Sequence, residues 1–118
     1  MSHLTTHVLD AATGRPATGV GVTLARVADS DDGNGNGTGA VTTIAEGVTD
    51  ADGRLALGPE RLEDGVHTLT FATGAYCAAR EVETFYPAAI VTFTVAGDGH
   101  LHVPLLLSPF AYSTYRGS

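Results

Sequence analysis

The chain has 118 residues, 43% of them hydrophobic, enough for one buried core and unlike a disordered polypeptide. Its formal net charge is −7 and all six basic residues are scattered arginines, so it lacks the electrostatic footprint of a nucleic-acid binder. No apolar run approaches the ~20 residues of a membrane-spanning helix, and the one cysteine, Cys77, cannot form an internal disulfide, in keeping with a reducing cytoplasm.

Length and composition suit one domain over residues 1–118. The opening Met1 to His7 carries neither a basic nor an apolar export segment. His7 then precedes the apolar pair Val8-Leu9 and a turn from Asp10 to Gly14. Val20, Val22 and Leu24 alternate with Gly21, Thr23 and Ala25, the period-2 pattern of a half-buried strand. Asp29 to Gly39 is rich in Gly, Asn and Asp and reads as a flexible hairpin insertion. It has no following Lys-Ser/Thr, and its acidic residues would repel phosphate, so it is no phosphate cradle. Arg54 follows a turn at Asp50-Ala51-Asp52-Gly53.

A second alternating strand runs from Val66 to Phe71, with His67, Leu69 and Phe71 on one face. Alanines favour a helix of about two turns within Gly74 to Glu83, ended by the extended Thr84-Phe85-Tyr86-Pro87. In Ile90 to Val95, Val91, Phe93 and Val95 oppose Thr92 and Thr94. Leu101 to Leu107 sets Leu101, Val103, Leu105 and Leu107 on one face, with Pro104 predicting an edge position or an irregularity. Phe110 to Arg116 makes a last strand. Short strands separated by turns predict an all-β sandwich.

Five histidines are the main chemical resource. His100 and His102, two apart in a strand, share the face opposite Val103 and Leu105, so His102 is available for acid–base or substrate-binding work. That pair can also ligate a metal, with His7 as a third donor. His3 and His67 are assigned to the surface, and Cys77 to packing rather than nucleophilic attack. The terminus Tyr112-Ser113-Thr114-Tyr115-Arg116-Gly117-Ser118 is rich in hydrogen-bonding groups, as expected of an interface strand or part of a site.

Together these segments resemble the transthyretin-like 5-hydroxyisourate hydrolases over essentially the whole chain. Leu4-Thr5-Thr6-His7-Val8-Leu9-Asp10 looks like that family's N-terminal motif, and Thr49-Asp50-Ala51-Asp52-Gly53-Arg54 like its central arginine motif. Thr84-Phe85-Tyr86-Pro87 is similar to the segment after its helix. The stretch from His100 to Pro109 and the ending Tyr115-Arg116-Gly117-Ser118 are the most specific, and separate the hydrolases from hormone-carrying transthyretins. Leu101 stands where an aromatic is usual, and the Gly/Asn-rich insertion is a second departure.

The resemblance implies a transthyretin-like (prealbumin-like) sandwich of two four-stranded sheets with one short helix. It also implies a homotetramer, a dimer of dimers with active sites where dimers meet, and ring-opening hydrolysis of 5-hydroxyisourate in urate breakdown. Neither metal nor organic cofactor is expected. It assigns His7, Arg54, His102 and Ser118 to catalysis, and His7, Arg54, Tyr115 and Arg116 to substrate binding. The chemistry fits: an imidazole of ordinary pKa near 6.5 can deprotonate water. Arg54 can hold an anionic ring and its tetrahedral intermediate. The Tyr115 phenol can bind the ring edge, and Ser118 can orient water or histidine through its hydroxyl or terminal carboxylate. Two alternatives stay open, a binding protein built on the same sandwich and a metallohydrolase using His7, His100 and His102.

Overall fold

A computed structural model of the protein describes residues 2–28 and 40–117. The insertion from Asp29 to Gly39 and the terminal Ser118 lie outside the described residues. The strands are β1 (Leu4–Asp10), β2 (Arg15–Pro16), β3 (Gly21–Val27), β4 (Val41–Val48), β5 (Arg54–Leu57), β6 (Gly65–Phe71), β7 (Ala89–Val95), β8 (Leu101–Ser108) and β9 (Ala111–Thr114). One helix, α1 (Thr73–Ala79), follows β6.

The strands form two sheets. One runs β4-β3-β6-β7, all antiparallel, and the other runs β2-β1-β8-β9 with β5 also paired to β1. The sandwich expectation holds, but the second sheet has five strands rather than four. Its extra member is the two-residue β2, which meets Leu9 and Asp10 beyond the stretch that β5 occupies. β1 and β8 pair in parallel, which joins the two ends of the chain in the middle of a sheet.

Alternation makes the core. Leu4, Val8, Val103 and Leu105 from one sheet face Val22, Leu24, Leu69 and Phe71 from the other, all of them buried. Burying such a side chain contributes about 1.5–3 kcal/mol. Cys77 lies buried on α1, the packing position expected of it.

Several expectations need correction. The helix has the two turns expected of it but begins one residue early, at Thr73, and ends at Ala79, two residues before Glu81 takes a left-handed backbone with φ of +56°. The last strand ends at Thr114, short of Arg116. β8 is interior, so Pro104 does not mark an edge; it marks an irregularity. The carbonyls of His102 and Pro104 both face the β9 side, accepting from the Gly117 amide and the Thr114 hydroxyl. The Pro104 nitrogen points the same way and has no proton to give. Pairing with β9 therefore stops at Leu105↔Thr114 and resumes as an isolated bridge at His102↔Gly117.

His3 and His67 are buried, not at the surface. His3 accepts a hydrogen bond from the Leu62 amide at Nδ1 and donates from Nε2 to the Gly99 carbonyl, tying two loops to the start of β1. His67 shares the inward face with Leu69 and Phe71, stacks on Phe93, and donates from Nδ1 to the Gly65 carbonyl. Among the described residues no helix is long and apolar enough to cross a membrane.

Candidate functional site

The site grows from the outward face of the β5-β1-β8 layer. Along β1, Leu4, Thr6, Val8 and Asp10 turn inward and are buried, which sends Thr5 and His7 outward. Register then fixes their neighbours. Antiparallel β5 sets Arg54 opposite His7 and Ala56 opposite Thr5, while parallel β8 sets His102 opposite Thr5. Side chains directly across a ladder share a face with Cβ atoms about 5 Å apart. Thr5, His7, Arg54 and His102 are thus gathered by pleat and register, and the small Ala56 leaves the floor between them low.

The His102 ring is held from two sides. Thr5 Oγ1 lies 2.8 Å from His102 Nδ1 and 2.9 Å from Nε2 of the exposed His100. On the other side runs the terminal segment, docked by the hydrogen bond from the Gly117 amide to the His102 carbonyl at 2.8 Å. A Cβ at position 117 would sit 2.5 Å from His102 Cδ2, so the chain passes this close to the imidazole only as glycine. This half-burial lowers the His102 pKa, and the positive charges of His7, His100 and Arg54 act in the same direction. The Thr5 backbone carbonyl opposes them more weakly. The balance favours a neutral ring, the form a general base needs.

Arg54 reaches this face through a braced turn. The Asp50 carboxylate accepts the amides of Asp52 at 2.8 Å and Arg54 at 3.0 Å. Those two bonds, then the Arg54 and His7 charges, hold the Asp50 pKa below the usual carboxylate range. Gly53 takes φ of +74°, and a Cβ there would lie 2.3 Å from the Val8 carbonyl oxygen, so glycine lets the turn press on β1. The aspartate–arginine contact in this turn is therefore made through the Arg54 backbone. Among the described residues the guanidinium forms no salt bridge, and Arg54 is exposed beside the cleft.

Thr5, Asp50, Arg54, Ala56, His100 and His102 line an open cleft of about 450 Å³. His102 also borders a second cavity of about 330 Å³, with Phe93, Leu101, Tyr115 and Arg116 in its wall. The predicted residues thus fall into two groups that meet at His102: Arg54 on one side, with His7 opposite it in the ladder, and Tyr115 with Arg116 on the other. Ser118 lies outside the described residues. Thr5 and Gly117 were not singled out as site residues from the sequence. Among the described residues no three His, Cys, Asp or Glu side chains converge as a metal ion needs.

The profile of the HIUase/Transthyretin family matches residues 4–117. The chain belongs to this family. It is 44% identical to the 5-hydroxyisourate hydrolase of Caulobacter vibrioides, over 100% of both chains. The solved 5-hydroxyisourate hydrolase of Klebsiella pneumoniae is 39% identical, with a TM-score of 0.80 over 98% of each chain. Sea bream transthyretin, solved in complex with thyroxine, is 32% identical, with a TM-score of 0.83 over 97% of this chain and 93% of that one. Backbone similarity does not separate the two groups, whereas the identities to the hydrolases are higher than the identity to transthyretin.

Proposed function

We infer that this chain is a hydrolase that opens the cyclic amide of 5-hydroxyisourate to give 2-oxo-4-hydroxy-4-carboxy-5-ureidoimidazoline, in urate breakdown. The carrying observation is the placement of His102 on one sheet face with His7 and Arg54 beside a cleft, where burial and neighbouring positive charge lower its pKa. Hydrolysis of an amide-like bond needs a base for water and a cation for the developing oxyanion. In this reading His102 takes the proton of the attacking water. Arg54 and His7 bind the flat anionic ring and stabilise the tetrahedral oxygen through charge-assisted hydrogen bonds. Tyr115 and Arg116 contact the substrate from the neighbouring cavity, and Ser118 orients the water or the ring of His102.

The proposal includes a single domain over residues 1–118 that assembles as a homotetramer, a dimer of dimers with sites at the dimer–dimer interface. Exposed apolar groups on two outer strands support association: Ile90 on β7 and Tyr112 on β9. A cytoplasmic location is part of the same reading, supported by a lone buried thiol. The test uses freshly generated 5-hydroxyisourate, made in situ by oxidising urate. Decay must accelerate above the spontaneous rate and give one product enantiomer in excess; sedimentation of the same sample reads the assembly.

A further inference from the structure

His102 is the group best placed to accept a proton, yet it is a poor place to leave one. It is half-buried, and His7, Arg54 and His100 all stand near it. Its outer nitrogen, Nε2, is the one free to meet a water, because Nδ1 is engaged with Thr5 Oγ1 at 2.8 Å. The same hydroxyl is 2.9 Å from Nε2 of His100, whose residue is exposed to solvent. One hydroxyl therefore bridges two imidazoles. A hydroxyl carries one proton and can accept another, so the three groups can be ordered in either direction. In one order His102 Nδ1 donates to Thr5 and Thr5 donates to His100; in the other every bond is reversed.

We propose that Thr5 and His100 complete a proton relay with His102, which carries positive charge from the half-buried ring to the exposed imidazole on the same cleft wall during hydrolysis. In the attack step the water oxygen bonds to the amide carbon and its proton goes to His102 Nε2. The Nδ1 proton of His102 passes to Thr5 Oγ1, and the Thr5 proton passes to His100 Nε2, which becomes the imidazolium. In the second step the ring C–N bond breaks, and the leaving nitrogen takes a proton from His102 Nε2. The relay then runs back, so each of the three groups ends as it began and the water proton resides on nitrogen. Thr5 and His100 are positioning and relaying residues; neither touches the reacting atoms.

The relay rests on the hydrolase reading, and the experiment separates the two. Thr5→Val, Thr5→Ser and His100→Ala are compared with the wild type on freshly generated 5-hydroxyisourate. Circular dichroism confirms folding, and exposed His100 is a safe site to truncate. Thr5→Val and His100→Ala should each lower kcat at least about tenfold with little change in KM, and Thr5→Ser should stay within about threefold. Free imidazole should restore His100→Ala and leave Thr5→Val slow. The rate plotted against deuterium fraction should be bowed in the wild type, with several protons in flight, and straight in Thr5→Val. A fully active His100→Ala beside a slow Thr5→Val would show that Thr5 only holds the ring, and the relay would be wrong. Loss in both without imidazole rescue, or with an unchanged isotope profile, would also overturn it. A wild type that does not accelerate the reaction defeats the functional reading and the relay together.

Discussion

Gly117→Ala probes the site with a single methyl group. Its Cβ would meet His102 Cδ2 at 2.5 Å, His102 Cγ at 3.2 Å and Pro104 Cγ at 3.3 Å. Ordinary contact between carbon atoms is about 3.5–4.0 Å, so the worst overlap is about 1 Å. Either the imidazole pivots or the terminal segment lifts. A pivot stretches the 2.8 Å contact to Thr5, and a lift weakens the 2.8 Å hydrogen bond from the Gly117 amide to the His102 carbonyl. Displacing a catalytic group by ~1 Å can lower the rate about a hundredfold, or about 2.7 kcal/mol in barrier. The core is untouched, so melting temperature should stay close to that of the parent. Initial rates on freshly generated substrate, corrected for spontaneous decay, measure kcat/KM. A Gly117→Ala enzyme with parental kcat/KM would show that the terminal segment need not lie against His102 during turnover.

Other perturbations test separate parts of the arrangement. Arg54→Lys keeps the charge but loses the planar fork, and should lower kcat/KM by roughly a hundredfold, about 3 kcal/mol; parental kinetics would return Arg54 to a turn residue. Burial and neighbouring cations lower the His102 pKa, so the neutral base persists to more acid pH, and the acid limb of kcat/KM should bend below about pH 6.5 once substrate ionisation is measured separately. A bend above that value would remove His102 from the base role. Deleting Tyr115 to Ser118, which leaves the buried core intact, should preserve the circular dichroism spectrum while abolishing most turnover; full activity in the truncated chain would exclude the terminus from the site. Deleting Gly33 to Gly39 should leave activity nearly unchanged, because loop closure depends only weakly on length and Val27 pairs with Val41 on either side of it.

Period-2 alternation made the faces of single strands legible in the sequence. It put Leu101, Val103, Leu105 and Leu107 inward, and it sent His102 outward, where the structure has it. The same signal grouped His67 with Leu69 and Phe71, so its burial was present in the pattern even though polarity argued for the surface. What alternation does not encode is register between distant strands. Thr5 meets His102 because β1 and β8 pair in parallel, and nothing local to either segment sets that match. Burial of His3 has the same origin, since its partners are the Leu62 amide and the Gly99 carbonyl. Of the two positions Pro104 allowed, an edge or an irregularity, the structure takes the second, because a missing donor interrupts one side of a strand only and the parallel ladder with β1 occupies the other.

The parallel union of β1 with β8 also governs when the molecule becomes competent. Thr5 and His102 are 97 positions apart, so their contact is among the most distant closures the chain makes. Such non-local pairings form slowly, because the entropy of closing the intervening chain is lost before any contact compensates it. During synthesis Thr5 and His7 emerge well before His102, so β1 must wait for the intervening polypeptide before it can pair with β8. A chain ended before β8 would carry the residues that set Arg54 opposite His7 but would lack His102. Completion of the site thus depends on this one closure, since the pairing of β1 with β8 is what brings Thr5 against the His102 imidazole.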